Sequence, residues 1–263
     1  MPEKRTSFPA GKGFRGFCAR LSPGKGGNQL ETLTRKLGIG AQHRVISIVG
    51  SGGKTTLLYA LARECAAAGD KTVLTTTTHI LQPCEPDFLL SSGLQIPLPS
   101  GRIIVAGTPA PNGKLSAPSA AVMDSICKNA DRVLIEADGS RMLPVKFPSS
   151  TEPVIVPGCN LVIAVAGLSA LGKPLQAVCH RALLAQETLG LLPDEPVTPE
   201  IIAKLLLAGY RRWNPVVLLN QADHEFERSQ AEQAAKRLRA GGIERILILS
   251  LRQEVKNNHA GTD

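Results

Sequence analysis

Between residues 50 and 56 the chain reads Gly50-Ser51-Gly52-Gly53-Lys54-Thr55-Thr56, three glycines followed by a lysine and two hydroxyls. Glycine reaches backbone conformations that are costly for other residues, so such a run can curl until successive N–H groups point inward at phosphate oxygens. An apolar run, Val45-Ile46-Ser47-Ile48-Val49, comes before it and a segment of helical periodicity comes after. The loop would therefore end on a helix N-terminus, whose dipole adds to the attraction for an anion. In that setting Gly50, Ser51, Gly52, Gly53, Lys54, Thr55 and Thr56 would hold the phosphates of a nucleoside triphosphate. Lys54 would bridge the β- and γ-phosphates, and the Thr55 hydroxyl would ligate Mg2+.

The loop is shorter than the full G-x-x-x-x-G-K-[ST] pattern, which needs glycine where Ile48 stands, and its G-x-x-G-K-T-T form resembles that of Mur-type peptide ligases. A second cluster, Arg132-Val133-Leu134-Ile135-Glu136-Ala137-Asp138-Gly139-Ser140, is an apolar strand ending in two carboxylates, as in a Walker B strand. Asp138 is expected to hold Mg2+ with Thr55, and Glu136 to orient a water or substrate; with Lys54 they make the candidate catalytic set. An Asp-Gly turn closing a strand would account for the same residues without chemistry. Thr75-Thr76-Thr77-Thr78-His79 offers four hydroxyls and an imidazole after another apolar run; the alternative is a β-branched strand extension with a surface histidine, which for His79 alone is the favoured reading. Asn220-Gln221-Ala222-Asp223 resembles the N-K-x-D base-reading motif of GTPases with Gln221 in place of lysine. Asn220 and Asp223 become candidates for the base edge, with ATP and GTP both open and a plain helix cap at Asp223 as the alternative.

The elements that must position these groups alternate. Val45–Val49, Thr72–Thr75, Ile103–Ala106, Arg132–Ile135, Leu161–Ala166, Val216–Leu219 and Ile246–Leu249 read as seven buried strands. Thr55–Ala68 places Leu58, Leu61, Ala62 and Cys65 on one helical face and stops at Gly69. Val197–Gly209 has Thr198 as N-cap and Pro199 at its first position, and Glu225–Ala240 is a polar surface helix. Strands separated by helices require crossovers, which predicts an α/β fold of the P-loop NTPase kind, a mostly parallel sheet flanked by helices. All four clusters then follow strands and share the C-terminal edge of the sheet, where open parallel sheets bind ligands. Pro109–Pro118 and Met142–Gly158 read as long loops.

Net charge is +8 over 263 residues, with nine basic and two acidic residues before Val45 and near balance beyond it. The basicity belongs to a tail, so a nucleic-acid groove is not expected in the body. Residues 1–28, rich in Gly, Pro, Lys and Arg, read as a disordered basic tail, and residues 29–263 as the nucleotide-binding domain. No stretch of 18 or more apolar residues is present to span a bilayer. Six scattered cysteines without C-x-x-C spacing fit a reducing cytoplasm. Cys179 and His180 are adjacent, but consecutive side chains on a helix diverge by about 100°, which argues against a metal there.

G-S-G-G-K-T-T at Gly50–Thr56, T-T-T-T-H at Thr75–His79, E-A-D-G-S-R at Glu136–Arg141, Leu143-Pro144-Val145-Lys146-Phe147-Pro148, Glu152-Pro153 and Gly172-Lys173-Pro174 together resemble the YqeC family. The resemblance runs from about Leu30 to Leu251. It implies an accessory protein of selenium-dependent molybdenum hydroxylases, a nucleotide-dependent helper that matures or inserts the selenium-containing molybdenum cofactor, with that cofactor and a molybdenum hydroxylase as partners. Arg141, Lys146, His180 and Arg181 are the family-like positions that could face a phosphate-bearing second substrate. Two other readings stay open: an ATP-dependent ligase of the Mur kind, and a nucleotide-gated cofactor-delivery module with little turnover.

Overall fold

The structure, a computed structural model, describes residues 31–83, 88–91 and 100–260. The basic tail expected over residues 1–28 lies outside the described residues. Eight strands form the central sheet: β1 (Val45–Gly50), β2 (Thr72–Thr76), β3 (Phe88–Ser91), β4 (Ile103–Ala106), β5 (Arg132–Glu136), β6 (Leu161–Gly167), β7 (Val216–Asn220) and β8 (Ile246–Ile248). Their order is β8-β7-β6-β1-β5-β2-β4-β3, and every pairing is parallel. All seven strands read from the apolar runs are present. The edge strand β3 was not anticipated; it is only four residues long and carries no alternating pattern in Phe88-Leu89-Leu90-Ser91.

A parallel sheet covered on both faces needs apolar residues pointing both ways, and successive side chains on these strands divide accordingly. Val45 and Val49 of β1, Val133 and Ile135 of β5, and Val162, Ala164 and Ala166 of β6 enter one core. That core is closed by α3 (Ala120–Asn129), α6 (Pro199–Tyr210) and α7 (Glu225–Ala240), through residues such as Val122, Ile202 and Ala234. Ile46, Ile48, Leu134, Ile163 and Val165 enter the opposite core, beneath α1 (Leu33–Lys36), α2 (Lys54–Ala67) and α8 (Leu251–Ala260). The stripe Leu58, Leu61, Ala62 and Cys65 of α2 is fully or almost fully buried. Each such leucine contributes about 1.5–3 kcal/mol by leaving water. Two short helices, α4 (Leu175–Val178) and α5 (Ala182–Leu189), lie between β6 and α6 in sequence. Thr198 accepts from Ile201 N and caps α6, with Pro199 at its first position.

Three local expectations are corrected. Residues 109–118 are not a plain loop: Thr108–Ala110 and Lys114–Ser116 form an antiparallel hairpin, which pairs with His79–Leu81. The hairpin turns through Asn112 and Gly113, both at positive φ. Its strands are three residues long, and only Ile80 and Leu115 are buried, so no period-two pattern could develop. Residues 142–158 likewise contain a two-residue strand, Val145–Lys146, paired in parallel with Cys179–His180. Cys179 and His180 therefore lie on a strand and not on a helix.

Candidate functional site

Gly50 ends β1 at φ 88, and Gly52 and Gly53 follow at φ 80 and 138, all in the region that favours glycine. Steric crowding adds to the requirement. A Cβ on Gly50 would run into the Val165 carbonyl oxygen, and one on Gly52 would lie 2.5 Å from both Gly167 N and Pro144 O. The curl is fixed by Ser51 N, which donates to Val165 O at 2.8 Å, and by the Ser51 hydroxyl, which donates to Leu143 O.

Lys54 opens α2 and is buried. Its Nζ turns back over the loop to donate to Gly50 O at 2.8 Å and Ser140 Oγ at 3.0 Å, with Asp138 Oδ1 at 3.3 Å and Glu136 Oε1 at 3.7 Å. The Thr55 hydroxyl donates to Glu136 Oε2 at 3.0 Å, while Thr56 is exposed on the outer side of α2. Burial pushes the Glu136 carboxyl above its ordinary range, against the opposing pull of Lys54 and Thr55.

Asp138 has different surroundings. It is fully buried, and its Oδ2 accepts from Gly50 N at 3.0 Å and from the Tyr210 hydroxyl at 3.1 Å, with Lys146 Nζ 3.4 Å away. Its Oδ1 accepts no hydrogen bond among the described residues and faces Lys54. The sequence reading gave Asp138 to the metal and Glu136 to water or substrate. The structure sets Glu136 beside Thr55, and Asp138 beneath the loop as an acceptor for its backbone.

Lys146 is also buried and continues the network, donating to Gly139 O at 2.5 Å and Glu152 Oε2 at 2.7 Å. Arg181 lies 3.0 Å from the same Glu152 oxygen. Burial raises the Glu152 carboxyl, but Lys146 and Arg181 more than offset this and hold it below its ordinary range. Burial and the charges of Lys146, Arg181 and Arg141 depress His180, opposed by Glu152.

The remaining candidates divide. The Thr76 hydroxyl donates to Glu136 O at 2.9 Å and Thr75 to Ala106 O at 2.8 Å, so these two serve the backbone; His79 is exposed. Asn220, at the end of β7, donates through Nδ2 to Gly52 O at 2.7 Å and accepts Leu251 N at 2.9 Å, joining the phosphate loop to the start of α8. Asp223 accepts from the Ser250 hydroxyl through Oδ1, and its Oδ2 takes no hydrogen bond among the described residues. Gln221, at φ 67, accepts Ser169 N at 3.2 Å. Sequence reasoning missed Tyr210, which ends α6 and lies 72 residues from Asp138; a lone tyrosine at a helix end carries no motif that could announce it.

A parallel α/β sheet whose β1 runs through a glycine loop into α2, with carboxylates at the end of the adjacent β5, is a fold of the P-loop NTPase-like class. Within that class the chain belongs to the YqeC family, whose description, YqeC protein, matches residues 46–183. An Escherichia coli (strain K12) protein, described as the uncharacterized protein YqeC, is 36% identical over 170 residues, covering 59% of this chain and 65% of that protein. The match thus spans just under two thirds of that relative's length. A solved structure of a GTPase from Pyrococcus abyssi in its apo form matches 85% of this chain and 98% of its own, at 15% identity and a TM-score of 0.30. Among the described residues no helix is long and apolar enough to cross a membrane.

Proposed function

We propose that this protein binds a nucleoside triphosphate, ATP or GTP, with Mg2+ at residues 50–56 and hydrolyses it. The observation that carries this reading is the convergence of Lys54 and Thr55, from the loop, on Glu136 and Asp138, from the neighbouring strand, within 3.0–3.7 Å. Loop N–H groups and the N-terminus of α2 receive the phosphates, and Lys54 exchanges Asp138 and Gly50 O for phosphate oxygens. The Thr55 hydroxyl and Glu136 carboxylate are hard oxygen donors already paired, the chemistry Mg2+ prefers. In this account Thr55 and Glu136 hold the metal, while Asp138 keeps the loop curled through Gly50 N. When bound, Mg2+ neutralises charge on the β- and γ-phosphates. The free Oδ2 of Asp223 is the acceptor available to a base edge, while Asn220 braces the loop.

Membership of the YqeC family supports the wider role implied by the E-A-D-G-S-R and T-T-T-T-H segments, a helper in maturation or insertion of the selenium-containing molybdenum cofactor of a molybdenum hydroxylase. Calorimetric titration with non-hydrolysable ATP and GTP analogues, with and without Mg2+, tests the nucleotide step. Metal-dependent binding of either analogue is expected; no binding of either in saturating Mg2+ overturns it. The wider role predicts that a molybdenum hydroxylase lacking its cofactor raises nucleotide turnover, and an unchanged rate counts against that role.

A further inference from the structure

Residues 139–144 cross the phosphate loop as a strap. Ser140 Oγ accepts from Lys54 Nζ at 3.0 Å, the Leu143 carbonyl accepts from the Ser51 hydroxyl, and Pro144 O accepts from Gly167 N at 2.8 Å. Leu143 N donates to Ser140 O at 3.1 Å and closes a turn whose tip is Arg141 and Met142. These two consecutive residues sit at φ 50 and 60, a conformation that glycine and asparagine tolerate but a side chain of this bulk rarely adopts. Strain of this kind persists where the surroundings over-determine it, and it concentrates at ligand clamps and active sites. Here the turn is closed by its own Leu143 N to Ser140 O bond, and both of its ends, Ser140 and Leu143, are bonded to the loop.

The neighbouring cations are already engaged. Lys146 and Arg181 share Glu152, and Lys54 faces Asp138. Arg141 is exposed, and among the described residues its guanidinium makes no ion pair or hydrogen bond. It follows directly on Ser140, whose hydroxyl touches the amine of Lys54, so its backbone lies beside the loop, and three methylenes give the guanidinium the length to turn toward an oxygen held by that amine.

We propose that Arg141 is a catalytic residue that closes on the terminal phosphate and stabilises the charge developing there during hydrolysis. This rests on the nucleotide reading above. In the step it serves, the oxygen of a water molecule bonds to the γ-phosphorus, and the bond from that phosphorus to the β–γ bridging oxygen breaks. The electron pair stays on the bridging oxygen, the water proton passes to solvent, and nucleoside diphosphate and inorganic phosphate result. A planar guanidinium with two parallel donors suits two equatorial oxygens of the transferring group better than an ammonium does, so lysine is a poor substitute.

The test compares the full chain with Arg141→Ala and Arg141→Lys, titrated with Mg2+ and nucleoside diphosphate with and without aluminium fluoride, which mimics the transferring phosphoryl group. Wild type is expected to bind diphosphate more tightly with fluoride. Arg141→Ala should bind diphosphate alone as wild type does but lose at least about tenfold of that gain, with a matching loss of turnover. Guanidinium ion added at low concentration should restore part of the turnover of Arg141→Ala, a response that loss of a purely structural contact would not give. Full fluoride-dependent tightening in Arg141→Ala overturns the proposal. Failure of wild type to bind diphosphate at all overturns the nucleotide reading instead, and this proposal with it.

Discussion

Glu136 and Asp138 stand two residues apart at the end of one strand, yet their surroundings differ. Glu136 pairs with a hydroxyl that has a metal ligand's chemistry, and Asp138 serves a backbone N–H, a tyrosine and two lysines. Burial raises the Glu136 carboxyl from its ordinary 4.5, so the folded chain takes up this proton at a higher pH than the unfolded chain. The group therefore favours the folded state more as pH falls from the raised value toward 4.5, and this contribution is lost as pH rises through that window. Metal binding needs the ionised carboxylate and runs the other way. Mg2+-dependent nucleotide affinity should weaken as pH falls through the same window, and Glu136→Gln should be weaker throughout and flat across it; a Glu136→Gln titration curve that follows wild type removes Glu136 from the metal. Tyr210→Phe deletes a buried donor to a charged acceptor and should lower stability by about 1.5–3 kcal/mol in urea unfolding. The loop residues were legible because their chemistry is local in sequence. Tyr210 was not, because its partner is brought to it by the packing of α6 against the sheet.

Helices and strands were legible where they are long and apolar. Seven central strands and the helices following β1, preceding β7 and preceding β8 could be read from periodicity, since each buries a face against the sheet. The three-residue strands of the hairpin and the Val145–Lys146 pair could not, because so short a segment has no period. Those small pieces nevertheless adjoin the site: the Val145–Lys146 pair places Lys146 against Asp138, and the hairpin pairs with His79–Leu81, which follows the Thr75–Thr78 segment. Asn220 is the link between elements, fastening the loop after β1 to the start of α8. Asn220→Ala strands Gly52 O and the buried Leu251 N, and should cost about 1–3 kcal/mol while weakening nucleotide binding; an unchanged melting curve would show that water replaces both bonds. Asp223→Asn keeps the acceptor toward Ser250 but loses the carboxylate, and should relax any preference between guanine and adenine nucleotides. Unaltered discrimination in competition titrations would leave Asp223 a tether for α8 alone.

Across the molecule, the parallel order of the eight strands brings the ends of β1, β2, β5 and β7 to one edge, although their residues are spread over most of the chain. That shared edge was deducible from strand–helix alternation, and it brings the four clusters to the side of the sheet where open parallel sheets bind ligands. The different surroundings of the two carboxylates could not be read from the sequence, because they depend on which of them the neighbouring elements enclose, and the division of labour proposed for them rests on that difference. Charge follows the same logic: three cations, Lys54, Lys146 and Arg181, are matched by Glu136, Asp138 and Glu152 in one connected network beside the loop. The most direct test of the account is to compare binding of Mg2+–nucleotide analogues by wild type and Lys54→Ala at equal concentration, with the melting of each variant recorded alongside. The account predicts saturable binding by wild type and a loss of at least about tenfold in Lys54→Ala while it still unfolds cooperatively, as expected for removal of a charge-assisted phosphate contact. Equal binding by the two proteins would contradict it and take the phosphates away from this loop.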